Sequence, residues 1–287
     1  MRKLVKKMTA LAVCMTAALA LTACGGGKKG VEIGVPNDTT NEARALMLLE
    51  ELGYITLEEG AGITATVLDI AENPYNITFN EVEAAQLPNV LQDMDYAVIN
   101  SNYAIDAGLN PMEDSLAVEG SFSAYGNVLA VKEGTENNDN IKALKAALES
   151  QQVADFILEE YGGDVVSTVD NPTDGYDASV DYDALAGTTI TVAASPAPHA
   201  EILQVAKEIL AERGITLDIM EFTDYVQPNN VVDTGEVDAN YFQHQPYLDD
   251  FNAENGTHVV SVATIHVEPM GIYGGKQTSL DAITEGK

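Results

Sequence analysis

The chain has 287 residues, with 45 Asp and Glu against 14 Lys and Arg, a formal net charge of −31. Such an excess of negative charge repels phosphate backbones and anionic lipid surfaces, so no nucleic-acid partner is expected. The acids are dispersed among apolar segments and read as a solvated surface over a core, with 46% hydrophobic residues to build it.

Taken in chain order, residues 1–23 read as a secretory signal. Arg2, Lys3, Lys6 and Lys7 form a positive start, and Met8 to Leu21 is an apolar run. The run falls short of the roughly 20 residues a bilayer span needs. It closes on Leu21-Thr22-Ala23-Cys24, which resembles the lipobox of bacterial lipoproteins. That resemblance implies an extracytoplasmic protein, lipidated on Cys24 and anchored to the cell membrane, with residues 24–30 as a flexible Gly- and Lys-rich tether. Cys14 would leave with the signal, so no disulfide is expected.

Beyond the tether, strand-like and helix-like segments alternate. Residues 31–35 predict a strand, and 41–52 a helix with Thr39 or Thr40 as its cap and Gly53 as its stop. Residues 77–82 and 96–99 read as strands, and 84–94 as a helix interrupted near Pro88. A strand at 127–131 and a long helix over 140–161 follow. Residues 162–187, rich in Asp, Ser, Thr, Gly, Pro and Tyr, read as a linker or loosely ordered junction that a protease should cut first. The pattern resumes with strands at 189–193, 215–219, 237–241 and 258–267, and helices over 198–213 and 246–251. This alternation predicts an α/β fold with mostly parallel sheets, in which ligands sit beyond the carboxyl ends of strands.

Motifs for catalysis are missing: there is no Gly-rich phosphate loop, G-x-S-x-G, H-E-x-x-H or available thiol. The four histidines, His199, His244, His258 and His266, show no metal-ligand spacing on a helix. His266-Val267-Glu268 has the residue types for a metal, although a structural hydrogen bond is the favoured reading. Neither a cofactor, a metal nor an enzymatic activity is therefore expected. Aromatic residues make up only 6% of the chain but concentrate at Phe222, Tyr225, Tyr241, Phe242 and Tyr247 around His244. Two readings stay open: core packing near a strand end, or a pocket for an apolar or thioether side chain.

Residues 188–283 resemble the first half of the methionine-binding lipoproteins of the MetQ/NlpA type. The resemblance lies in ASPAPHAEIL (194–203), EFTDYVQPN (221–229), DANYFQHQPYL (238–248) and HVEPMG (266–271). Residues 31–160 resemble the second half through VPND (35–38), NEARAL (41–46), EAAQLP (83–88) and AVIN (97–100). The halves stand in reversed order, so the chain reads as circularly permuted, cut before Val31 with the old termini joined through 162–187. A piece of a tandem array, or a misassembled gene, would give the same text.

The resemblance implies a periplasmic-binding-protein-like fold, two α/β lobes around a ligand cleft. One lobe would span 31–118 with the tail 277–287. The other would span 119–276 and contain the linker 162–187. By the same resemblance, Arg44 grips an amino-acid carboxylate, Asn100 and Asn127 contact its backbone groups, and Tyr225, Phe242, His244 and Tyr247 wall its side chain. The family's partners would be L-methionine or a similar amino acid, the membrane and ATPase subunits of an ABC importer, and the membrane itself through the lipid. A related amino acid, a methionine-containing dipeptide, or a non-transport surface lipoprotein are the alternatives.

Overall fold

The computed structural model describes residues 30–120 and 125–285. The signal segment, Cys24 and the tether through residue 29 lie outside the described residues.

Two sheets organise the chain. The first runs in the order Thr78–Val82, Glu32–Pro36, Tyr96–Ile99, Gly271–Gly274, Ser115–Val118. Its first three strands are parallel, and Gly271–Gly274 is antiparallel to both neighbours. The second runs Thr216–Glu221, Thr189–Ala194, Ala239–His244, Asn127–Lys132, Val259–Val267, Val166–Ser167. The first three of these are again parallel, and the antiparallel strands complete the other side.

Helices bury both faces of each sheet's central strands, so those strands read as continuous apolar runs rather than alternating ones. Tyr96–Ile99 is buried at every position, as is Ala239–His244. Around the second sheet, Leu129, Ile141, Leu144, Ile190, Ile202 and Leu210 form the larger core. Around the first, Ile33, Leu46, Leu49, Val98 and Ile272 form another.

Four local differences from the sequence expectation have physical causes. The segment 140–161 is two helices, Asp139–Leu148 and Gln151–Tyr161. Ser150 turns the chain between them, because its hydroxyl accepts the Val153 N–H and caps the second helix. The first-sheet strands Ser115–Val118 and Gly271–Gly274 lie where the pattern showed none, each only four residues long and the latter bounded by glycines. Because Gly271–Gly274 belongs to the first sheet, the chain returns to that lobe between Val267 and Gly271, and not after 276. The segment 162–187 is packed instead of loose: Val165 and Val180 are buried in the larger core, and Arg213 stacks over Tyr176 with its Cζ 4.2 Å from the ring centre.

No helix among the described residues is long and apolar enough to cross a membrane.

Candidate functional site

Helix Thr39–Glu51 starts the site. Asp38 caps it by accepting the Asn41 N–H at 3.0 Å. One helical turn separates Asn41 from Arg44, so both project from one face, and both are buried. Asn100 extends from the carboxyl end of Tyr96–Ile99, and its amide donates to Asn41 Oδ1 at 2.8 Å. From the second sheet, Asn127 opens its strand directly between His244 and His266 in the neighbouring strands. Phe242, Gln243 and His244 end the adjacent strand, and Tyr247 follows on the helix Gln245–Asn255.

These elements converge on one narrow cleft, lined by Arg44, Asn100, Asn127, Tyr225, Phe242, His244 and Tyr247 together with Asn41, Gln243 and Glu268. All seven positions singled out in the sequence thus share one site. Asn41 and Gln243 were not singled out, and Glu268 only as part of the His266-Val267-Glu268 metal motif, not as a ligand contact. The Asn41-x-x-Arg44 spacing carried a helical signal that could have marked the first, whereas Glu268 comes from 224 residues away.

Each wall has its own chemistry. Tyr225, Phe242 and Tyr247 form a ring cluster with centroids 5.7–6.1 Å apart. The Tyr247 hydroxyl donates to the Tyr225 carbonyl, and the Tyr225 hydroxyl to Asn102 Oδ1 at 2.6 Å. Arg44 is the one Lys or Arg among the lining residues. Its guanidinium stacks on Tyr125, with Cζ 4.4 Å from the ring centre, and is paired with Glu119. Nε donates to both Glu119 oxygens at 2.9 and 3.1 Å, and Nη2 donates to the same carboxylate and to the Glu268 carbonyl. Nη1 has no acceptor among the described residues.

The Glu268 side chain is buried beside this cation, and its Oε2 has no hydrogen-bond partner. Burial drives its pKa up, opposed by the Arg44 charge, to about 8. Burial also pushes the His244 imidazole well down, and Arg44 pushes it the same way, so this ring is neutral. Its Nε2 reaches Asn41 Oδ1 at 3.2 Å across the two lobes. The Tyr103 hydroxyl donates to the Thr223 carbonyl, and the Tyr103 and Tyr225 rings stack at 4.8 Å. The lobes are closed on each other.

Among the described residues, one group could hold a metal ion: His199 and His266 together with the cleft-lining Glu268, all buried, with one candidate donor atom each, mutually within 4.8 Å. His199 Nε2 meets Asn127 Oδ1 at 2.9 Å, and His266 Nδ1 meets the Tyr241 hydroxyl. The second nitrogen of each ring and Glu268 Oε2 have no hydrogen-bond partner among the described residues. Three such atoms suit an ordered water as well as a cation. The sequence favoured a structural hydrogen bond at His266-Val267-Glu268 and, finding no ligand spacing among the four histidines, did not group His199 with it; a separate strand-to-helix turn supplies that ring.

Two α/β lobes shut on a cleft that offers a cation, carboxamides and an aromatic wall make an architecture able to enclose a small polar ligand with an apolar part. The chain belongs to the NlpA lipoprotein family, whose model matches residues 26–169 and 190–287. It is 49% identical over 137 residues to the membrane lipoprotein TpN32 of Treponema pallidum (strain Nichols), covering 47% of this chain and 51% of that one. It is 40% identical over 139 residues to the D-methionine-binding lipoprotein MetQ of Escherichia coli (strain K12), covering 48% and 51%. The chain therefore spans about half the length of the curated relatives it matches. Among solved structures, a nutrient binding protein from Burkholderia cenocepacia bound to methionine is 46% identical, with a TM-score of 0.46, covering 47% of this chain and 57% of that one.

Proposed function

We propose that this chain captures methionine, or a close analogue, in the cleft and delivers it to an ABC importer as a lipoprotein anchored through Cys24. One observation carries the reading. Arg44 and the Glu268 carboxyl, whose Oε2 has no hydrogen-bond partner among the described residues, border the same small space as the Tyr225–Phe242–Tyr247 cluster. A positive group, a carboxyl group and an apolar aromatic wall match the three parts of an amino acid with an apolar side chain. The Arg44 guanidinium meets the ligand carboxylate, Glu268 the ammonium, and Asn100 and Asn127 the remaining polar atoms. The names of the MetQ relatives support methionine among such ligands.

The magnitudes are adequate. Burying a methionine side chain contributes about 1.5–3 kcal/mol, and each sulfur–ring contact a further 0.3–1.5 or so. Charge-assisted bonds at Arg44 contribute about 1.5–3 kcal/mol each, against the roughly 8 kcal/mol of a micromolar complex. A ligand touching both lobes stabilises the closed state, which is what an importer would read. Calorimetry against a panel of amino acids tests this function: saturable heat with methionine supports it, and no heat with methionine or its analogues sinks it. For the anchor, Cys24→Ser should move the protein from the membrane fraction to the soluble one.

The same reading makes the chain a circular permutant, with one lobe on the first sheet and the other on the second. In support, Ile283 is packed in the same core as Val31 and Ile33, so the segment near 283 adjoins the strand that would follow it in the family order. A gene re-ordered as 188–285 followed by 31–187, which keeps the packed segment 162–187 at the new C-terminus, should yield a protein that binds methionine within about threefold of the parent's affinity, under 1 kcal/mol. Failure of the re-ordered protein to fold would refute the permutation.

A further inference from the structure

The ligand-facing cation is held from behind by a residue that does not border the cleft. Glu119 presents its carboxylate to the Nε–Nη2 edge of Arg44 and is absent from the cleft lining. It borders a separate cavity beside Val118, Val267 and Pro269. The carboxylate is itself fixed, because Oε2 also accepts the Met270 N–H at 2.8 Å, while the Glu119 N–H donates to the Met270 carbonyl at 2.9 Å. Tyr125 covers the face of the guanidinium. With one edge taken and one face covered, the guanidinium retains Nη1 for a partner in the cleft.

The placement of these groups in the chain is equally specific. Glu119 immediately follows the first-sheet strand ending at Val118, from which the chain next enters the second sheet at Asn127. Glu268 to Met270 form the return, between the second-sheet strand ending at Val267 and the first-sheet strand starting at Gly271. Arg44 donates to the Glu119 side chain and to the Glu268 carbonyl at once. One guanidinium on the first lobe's helix thus pins both crossings between the lobes.

Resting on the assignment of Arg44 to the ligand carboxylate, we infer that Glu119 is a positioning residue that aims Arg44 Nη1 into the cleft and ties the carboxylate grip to both interlobe crossings. An arginine stem loses considerable rotamer freedom when it is fixed, and holding it fixed before the ligand arrives removes that cost from binding. Glu119→Gln keeps the shape and one acceptor oxygen but removes the charge that fastens the fork. Because the pair is bidentate and mostly buried, the substitution frees the guanidinium without emptying the cleft.

Two readouts test this in Glu119→Gln and Glu119→Asp. The first is calorimetry with methionine and with methioninol, which lacks the carboxylate. Glu119→Gln should weaken methionine on the order of tenfold, about 1.4 kcal/mol, and leave methioninol unchanged. Equal losses for both ligands would show a merely structural role and overturn the inference. Tighter methionine binding would make Glu119 a competitor for Arg44, and unchanged binding would make it a bystander; either also overturns it. The second readout needs no ligand: the Arg44 Nε–H resonance should be slow to exchange in the parent and lose that protection in Glu119→Gln. If the parent does not bind methionine, the proposed function fails while this resonance still decides whether Glu119 holds Arg44. Should Glu119→Gln not fold, Glu119→Asp, with its charge drawn back by one methylene, decides both readouts by intermediate losses.

Discussion

Replacing Glu268 with glutamine, which mimics the protonated acid, should change how stability depends on pH. Burial lifts the Glu268 pKa to about 8 in the folded protein, from an ordinary value of 4.5. Between these values the folded state holds a proton that the unfolded state has lost, so stability falls as pH rises across the window. One pKa unit corresponds to about 1.4 kcal/mol, giving an upper bound of roughly 3 kcal/mol between pH 5 and pH 7. The Glu268→Gln protein is free of that cost. The buried His199 and His266 titrate with the opposite sign, since their pKa values are lowered, but they are common to both proteins and cancel in the difference. Urea unfolding of both proteins at pH 5, 6, 7 and 8, with a chelator present, measures the effect. Glu268→Gln should match the parent near pH 5 and gain on it steadily toward pH 8. A stability difference that does not vary with pH would refute the account of a buried, unpaired acid. The same chemistry extends to the ligand: an ammonium placed against Glu268 favours its charged form, so methionine binding near pH 7 should release a proportion of a proton, read from heats in buffers of different ionisation enthalpy.

Arg44→Ala should weaken methionine at least tenfold by calorimetry, since it removes charge-assisted bonds of about 1.5–3 kcal/mol each. It should also lower the unfolding midpoint, because Glu119 is left without its cation. Phe242→Ala should reduce affinity for methionine more than for alanine on the same panel, as its ring forms part of the wall facing the side chain. Leu129→Ala, in the larger core and fully buried, should cost about 2–5 kcal/mol in urea unfolding with no change in ligand preference.

Legibility in the sequence followed the range of the physics. Helix Thr39–Glu51 and the buried strands Tyr96–Ile99 and Ala239–His244 lie close to their expected positions, because capping and apolar runs act within a few residues. The composition of 162–187 misled, since an average over polar residues hides the few anchors, Val165, Val180 and the Tyr176–Arg213 stack, that pack it. Short strands such as Gly271–Gly274 were hidden for a different reason: four residues give too few alternations to register as a period, and pairing with two neighbours is what makes them strands.

For the site, the residues carried by recognisable motifs, Arg44, Asn100, Asn127, Tyr225, Phe242, His244 and Tyr247, were chosen from the sequence alone, and with them the family. Their convergence on one cleft belongs to the tertiary structure. So do the partners that set their chemistry: Glu119, 75 residues from Arg44, and Glu268, 224 residues away. Burial and pairing over such separations are properties of how the sheets close and where the chain crosses between lobes. Local patterning specifies the elements; only their packing decides which charge meets which.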